Sequence, residues 1–172
     1  MKKIAAVFAA GAFALCTAPL AFAQTQGVSK SEIVIGSEQD LPTADAYEPN
    51  DDAGTSAYPL EGVRKVNATI DFWDDPIDVY AIRLKHGQTL FARLGAGAPP
   101  RTSLFLWRPG TTHITGPART VLANRAARGT ATSGQERLSY HATADGTYYV
   151  EVEAGAPTKA PGRYSLSLAL QS

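Results

Sequence analysis

The chain has 172 residues, of which 44% are hydrophobic and 19% charged, and its formal net charge is zero. The charge is unevenly distributed: residues 24–80 carry 12 acidic and 3 basic side chains, whereas residues 81–172 carry 4 acidic and 11 basic. This asymmetry predicts a cation site in the first part and an anionic partner for the second. No basic cluster is dense enough to indicate nucleic-acid binding.

The first 23 residues have the pattern of a bacterial signal peptide. Lys2 and Lys3 precede an uncharged apolar run from Ile4 to Leu20, and Ala21–Ala23 supplies a small-x-small cleavage pattern before Gln24. A membrane anchor is the alternative, but a glycine and a proline interrupt the run, which is short for a span of about 20 residues. We therefore expect no membrane span and a periplasmic or secreted protein.

Cys16 is the only cysteine and lies inside this segment. It could be a lipoprotein acylation site, but Leu15 stands before it where a small residue is required, so an apolar signal residue is the favoured interpretation. The mature chain then has no disulfide in an oxidising compartment, and core packing, with or without a metal, must stabilise it.

Residues 24–46 are expected to be an extension that contributes little to the core. Gly27–Gly36 resembles the opening strand of periplasmic branched-chain amino-acid binding proteins, with Ile33–Ile35 as one short strand. The resemblance covers fewer than twenty residues, so we assign the extension no ligand-binding role.

The remaining sequence alternates apolar and polar residues in five runs separated by glycine and proline turns, and no stretch has a convincing helical period. Several short strands with this spacing predict an all-β fold with two sheets, a β-sandwich. The predicted core comprises Tyr80, Ile82, Leu84, Leu90, Leu104, Leu106, Tyr148, Val150, Leu166 and Leu168.

The longest irregular stretch runs from residue 109 to residue 135, with a possible strand at 120–124. It carries Arg119, Arg125 and Arg128. Loops of this length are uncommon without a role, although a solvated loop is the simpler interpretation.

Four parts of the sequence, in order, resemble the signature of bacterial pre-peptidase C-terminal domains. They are Tyr47–Asp52, then Asp75–Leu84 with Gly87–Leu90 after it, then Gly146–Val152, and finally Gly162–Leu166. The resemblance implies that residues 47–172 form a jelly-roll-like sandwich of about eight strands. It also implies an accessory role, because domains of this family aid the secretion or folding of secreted peptidases or bind substrate surfaces.

Some relatives, notably the collagen-binding domains of clostridial collagenases, bind calcium through the acidic opening and the Asp-x-x-Asp-x-Tyr segment. The matching positions here are Glu48, Asn50, Asp51, Asp75 and Asp78. Calcium prefers six to eight oxygen ligands, which carboxylates and amides supply. We therefore expect one calcium site, the alternative being a polar turn at 48–51 with Asp78 capping a strand.

Catalytic motifs are absent from the sequence. It has no mature cysteine, no His-Glu-x-x-His, no Gly-x-Ser-x-Gly and no phosphate loop, and His86, His113 and His141 have no obvious partners. The sequence therefore predicts a protein that is not an enzyme, with a hydrolase built from distant residues as the weakest alternative.

Strand parity suggests a binding surface. If Leu104 and Leu106 face the core, neighbouring aromatic residues should face outward and bind a protein or polysaccharide surface, unless the arginine-rich stretch covers them. The leading hypothesis is an exported binding module, and the alternative is a secretion or folding helper for a separately encoded peptidase. The candidate ligand-binding residues are Phe91, Phe105, Trp107 and Tyr149.

Overall fold

The computed structural model describes residues 45–172, apart from 62–64, 96, 116–117, 133–134 and 158–160. The predicted signal peptide and nearly all of the predicted extension lie outside the described residues. No helix within the described part of the chain is both long enough and apolar enough to cross a membrane.

Within the described residues, ten strands, numbered in chain order, form two sheets of five. Sheet 1 contains, in spatial order, β1 (Tyr58–Pro59), β3 (Ile77–Leu84), β9 (Gly146–Ala154), β5 (Thr102–Trp107) and β6 (Arg125–Arg128). Sheet 2 contains β2 (Lys65–Ile70), β10 (Gly162–Gln171), β4 (Thr89–Leu94), β8 (Gln135–His141) and β7 (Thr130–Thr132).

The pairing of the strands is that of a jelly roll. β2 pairs with β10, β3 with β9, β4 with β8 and β5 with β6, all antiparallel. This is the pairing of one long hairpin that is rolled up so that successive strand pairs lie alternately in sheet 2 and sheet 1. The short strands β1 and β7 extend the two sheets beyond these eight strands. The predicted all-β, two-sheet sandwich is therefore confirmed.

Alternate residues of the two sheets point inward and form the main core. Leu104, Leu106, Val150 and Leu166 are fully buried, and all ten residues of the predicted core belong to this one cluster. The period-two pattern predicted the core correctly because strand side chains alternate between the two faces of a sheet.

The stretch 109–135 differs from the prediction. A helix, α1 (Ala118–Asn124), occupies the place of the expected strand, and β6 follows it directly. Leu122 and Ala123 have high helix propensity, and Val121 packs against the outer face of sheet 1. Tertiary packing on that face, which the local sequence does not encode, selects the helix.

Candidate metal centre

The opening segment, residues 45–57, runs beside β3 and continues into β1. The carbonyl oxygen of Asn50 accepts a hydrogen bond from the backbone nitrogen of Val79 at 2.7 Å, and β1 pairs with β3 in parallel, Tyr58 opposite Tyr80. Glu48 and Asp51, on either side of Asn50, are thereby held next to the start of β3.

The turn from Asp71 to Asp75 supplies the second part of the site. The backbones of its two end residues exchange hydrogen bonds of 2.8 and 3.1 Å, and the Asp71 carboxylate accepts from the backbone nitrogens of Trp73 and Asp74. This tight turn fixes the position of Asp75 immediately before β3, with the side chain of Trp73 69% exposed at its tip.

Three of the five predicted metal ligands come together. Glu48, Asp51 and Asp75 each place one carboxylate oxygen within 4.8 Å of the other two. The remaining two, Asn50 and Asp78, are completely buried. The structure thus brings together two segments that are about 25 residues apart in sequence.

Four of these residues have buried polar atoms that find no hydrogen-bond partner among the residues that the structure describes. The atoms are Oε1 of Glu48, both amide atoms of Asn50, Oδ1 of Asp75 and Oδ1 of Asp78. Burying such an atom unpaired costs about 1–3 kcal/mol, and most buried polar groups in proteins are paired. The four oxygens among these atoms could therefore act as ligands.

Asp78 lies on the inner side of β3, at one end of the main core. Its Oδ2 accepts a hydrogen bond of 2.6 Å from the hydroxyl of Tyr164, which is itself 2.6 Å from the hydroxyl of Tyr80. Because the Tyr164 proton is directed to Asp78, Tyr80 donates to Tyr164. This chain orients Asp78 and leaves its Oδ1 unpaired.

Burial, together with the charges of neighbouring acids, raises the pKa values of Asp75 and Asp78. Burial, followed by the charges of Glu48 and Asp51, raises the pKa of Asp75 to about 7. Burial raises the pKa of Asp78 to about 8, despite the opposing effect of the Tyr164 hydrogen bond. A divalent cation would remove the repulsion and satisfy the unpaired oxygens, so the residues fit a hard, oxygen-preferring ion.

Two further residues, which no sequence pattern indicated, support this site. Asp45 accepts hydrogen bonds from the backbone nitrogens of Thr69 (2.8 Å) and Tyr47 (2.9 Å), which ties the opening segment to β2. The other is Tyr164, the donor to Asp78, which is 86 residues away. No spacing rule connects residues on two different sheets, so only the fold could reveal these contacts.

The expectation that aromatic residues project from sheet 1 into solvent is wrong. Phe105, Trp107 and Tyr149 are only 8%, 4% and 8% exposed. They form a second, smaller core with residues of the opening segment and with Ile114 and Val121. The alternative that the arginine-rich stretch covers them is confirmed, and we call residues 109–124 the cover segment.

A buried acid lies beside the second core. The indole nitrogen of Trp107 donates to Oε2 of Glu151 at 2.6 Å, and Glu151 is 4% exposed. Burial raises the pKa of Glu151 to about 7, although the hydrogen bond from Trp107 and the charge of Arg125 lower it.

A histidine and an acid attach the cover segment to the opening segment. His113 Nδ1 is 2.8 Å from Oδ2 of Asp52, and Asp52 Oδ1 accepts from the backbone nitrogen of Ile114 at 2.7 Å. Burial opposes ionisation of Asp52, but the hydrogen bonds from His113, Ile114 and Ala53 lower its pKa overall. His113 therefore has a partner, which the sequence did not indicate.

Phe91 is the exception among the four candidate aromatic residues. It lies on β4 in sheet 2, and its side chain is 43% exposed, as the strand parity predicted. Its role in binding stays a prediction.

Comparison with solved structures finds two kinds of similar protein. One is the pre-peptidase C-terminal domain of a collagenase from Bacillus anthracis, with 18% identity and a TM-score of 0.47, over 64% of this chain and 90% of that one. Another is PliG from Aeromonas hydrophila, a periplasmic inhibitor of g-type lysozyme, with 18% identity and a TM-score of 0.47, over 66% of this chain and 94% of that one. PliG from Salmonella Typhimurium is 16% identical, with a TM-score of 0.38, over 62% and 89%. No family model matches the sequence, and no curated protein is significantly similar.

Proposed function

We propose that this protein is an exported, non-catalytic binding module that one calcium ion stabilises. The observation that carries the proposal is the set of unpaired buried oxygens on Glu48, Asn50, Asp75 and Asp78, beside three carboxylates whose oxygens lie within 4.8 Å of one another. Without a cation, this arrangement combines desolvation with repulsion between like charges, both of which destabilise the folded state.

The candidate ligands come from two segments of the chain. Glu48, Asn50 and Asp51 belong to the opening segment, whereas Asp75 and Asp78 belong to the turn before β3 and to β3 itself. A calcium ion supplies positive charge between these segments. The ion would therefore fasten the opening segment to sheet 1, and with it the residues that complete the second core.

Two observations favour binding over catalysis. Asp78, whose pKa is raised to about 8, is fully buried and hydrogen-bonded to Tyr164, so a substrate has no access to it. His113 is paired with Asp52, which also fastens the cover segment, so this pair has a structural role. The signal-peptide pattern of residues 1–23 supports export to the periplasm or beyond. A protein or polysaccharide surface is the proposed partner.

Thermal unfolding in a chelator and in millimolar calcium tests the ion. Calcium binds the folded state and should raise the unfolding midpoint. At a free concentration of about 100 times the dissociation constant, the gain is roughly 2.7 kcal/mol. Magnesium should stabilise much less, because it requires a tighter octahedral cage. Equal midpoints in chelator and calcium would refute the calcium site.

Neighbouring acids on the same turn provide a matched pair of variants. Asp75→Asn removes a half-buried carboxylate of the cluster, whereas Asp74→Asn removes an exposed one outside it. Asp75→Asn should abolish the calcium-dependent gain and should unfold in chelator at or above the midpoint of the unmutated protein, because it relieves repulsion. Asp74→Asn should keep the full gain. A calcium response that survives in Asp75→Asn would contradict the assignment.

A further inference from the structure

The two outer faces of the sandwich differ. The opening and cover segments bury the outer face of sheet 1 around Phe105 and Trp107. On sheet 2, outward-facing residues of β2, β10, β4 and β8 are exposed, including Phe91, Arg93 and Arg137. Of the two outer faces, that of sheet 2 is therefore the one exposed to a partner, and it carries Phe91, the exposed member of the four candidate aromatic residues.

The strand register aligns basic residues across this face. Lys65 on β2 is opposite Ser167 on β10, Ser167 is opposite Arg93 on β4, and Arg93 is opposite Arg137 on β8. Thr130 on β7 completes this cross-strand row. Neighbouring strands are about 4.8 Å apart, so the row spans roughly 19 Å perpendicular to the strands.

The charged residues described on the outer face of sheet 2 are all basic. Arg163 adds a fourth cation, and among the outward-facing residues that the structure describes on the five strands there is no acid. In the described part of the chain, neither Arg93 nor Arg137 forms a salt bridge. Like charges directly opposite each other on neighbouring strands are destabilising, so an anion held between Arg93 and Arg137 would turn repulsion into attraction.

A shallow groove concentrates these groups. It has a volume of about 530 Å³ and is lined by Phe91, Arg93, Arg137 and Ser139 of sheet 2 and by Arg128 of β6. Arginine binds planar anions such as carboxylate through two hydrogen bonds, and the aromatic ring offers an apolar surface beside them. Cations, hydroxyl groups and a single ring thus lie within one groove.

We propose that the outer face of sheet 2 binds an anionic polysaccharide, whose acidic groups contact Lys65, Arg93 and Arg137 while one sugar ring lies against Phe91. This inference rests on the proposed function, a binding module, and names its partner. A protein partner fits less well, because the centres of protein interfaces are apolar and contain few charged residues. Phe91 is the only large apolar side chain described on this face. Single-stranded nucleic acid fits less well too, since it stacks on several aromatic side chains.

Calorimetric titration of the purified protein with short oligosaccharides tests the proposal. The acidic probes are hyaluronate, chondroitin sulfate and polygalacturonate, and the neutral probe is dextran of matched length. We expect at least one acidic probe to bind with an affinity that falls as salt is raised, and dextran not to bind. Failure of all three acidic probes, equal binding of dextran, or tighter binding of a single-stranded DNA oligomer would overturn the proposal.

Paired variants identify the surface. Arg93→Gln with Arg137→Gln should weaken binding of the acidic probe on the order of tenfold or more, because charge-assisted hydrogen bonds are lost. Arg83→Gln with Lys85→Gln removes the same charge from exposed positions at the end of β3 and should leave the affinity within about twofold. Equal losses in both pairs would show general electrostatic attraction and refute the site. Calcium-dependent unfolding of the same samples separates the two proposals. A calcium response without polysaccharide binding refutes the binding face on sheet 2 and leaves the calcium site standing.

Discussion

The carboxylate of Glu151 lies beneath the cover segment, hydrogen-bonded to the indole nitrogen of Trp107. Burial raises its pKa from the ordinary value of 4.5 to about 7. Between these two values the folded chain holds a proton that the unfolded chain has released. The free energy of unfolding should therefore fall as the pH rises through this window, by about 3 kcal/mol in total.

Glu151→Gln tests this prediction, since glutamine accepts the Trp107 hydrogen bond without an ionisable group. The variant should match the unmutated protein near pH 4.5 and become progressively more stable than it up to about pH 7. Glu153→Gln, two residues along β9, serves as the control. Chemical denaturation across this pH range measures the difference, and a difference that does not vary with pH would contradict the burial argument.

At the scale of single elements, β10 begins against a proline of the loop before β5. A Cβ atom at Gly162 would overlap Cγ of Pro99. Pro99 cannot move easily, because its carbonyl oxygen accepts hydrogen bonds from the backbone nitrogen and the hydroxyl of Thr102 at 3.2 and 2.7 Å. We predict that Gly162→Ala lowers the free energy of unfolding by roughly 1–3 kcal/mol.

Gln171→Ala, at the exposed end of the same strand, is the control and should change stability by less than about 0.5 kcal/mol. Urea denaturation of both variants makes the comparison. If Gly162→Ala leaves the free energy of unfolding unchanged, the loop that contains Pro99 shifts without an energetic penalty and the prediction is wrong.

The whole molecule depends on contact between its two sheets. Leu106 on β5 is fully buried in the main core, opposite Val150 on β9. Leu106→Ala should lower the free energy of unfolding by about 2–5 kcal/mol. The same substitution at Leu122, which is 49% exposed on α1, should cost less than about 1 kcal/mol because little apolar surface is lost. Similar losses at both positions, measured by denaturant unfolding, would contradict the two-sheet core.

Local pattern was enough to predict the sandwich. Tyr80, Ile82 and Leu84 alternate with outward-facing residues, and all three lie in the main core. The acidic segments likewise indicated a site, and the structure brings Glu48, Asp51 and Asp75 together. The alternation is a property of each short strand, whereas the ligand positions came from the resemblance of two segments, about 25 residues apart, to a family in which some members bind calcium.

The sequence by itself determined which residues form strands and which face of each strand is apolar, because side-chain alternation is a property of the extended backbone. Only the tertiary structure decided that the cover segment buries Phe105 and Trp107, that Tyr164 contacts Asp78, and that Lys65 aligns with Arg93. These contacts join residues far apart in the chain, and they depend on strand order and register across each sheet and on packing between elements. No local pattern encodes that arrangement, so the exposed outer face of sheet 2 had to be identified from the folded protein.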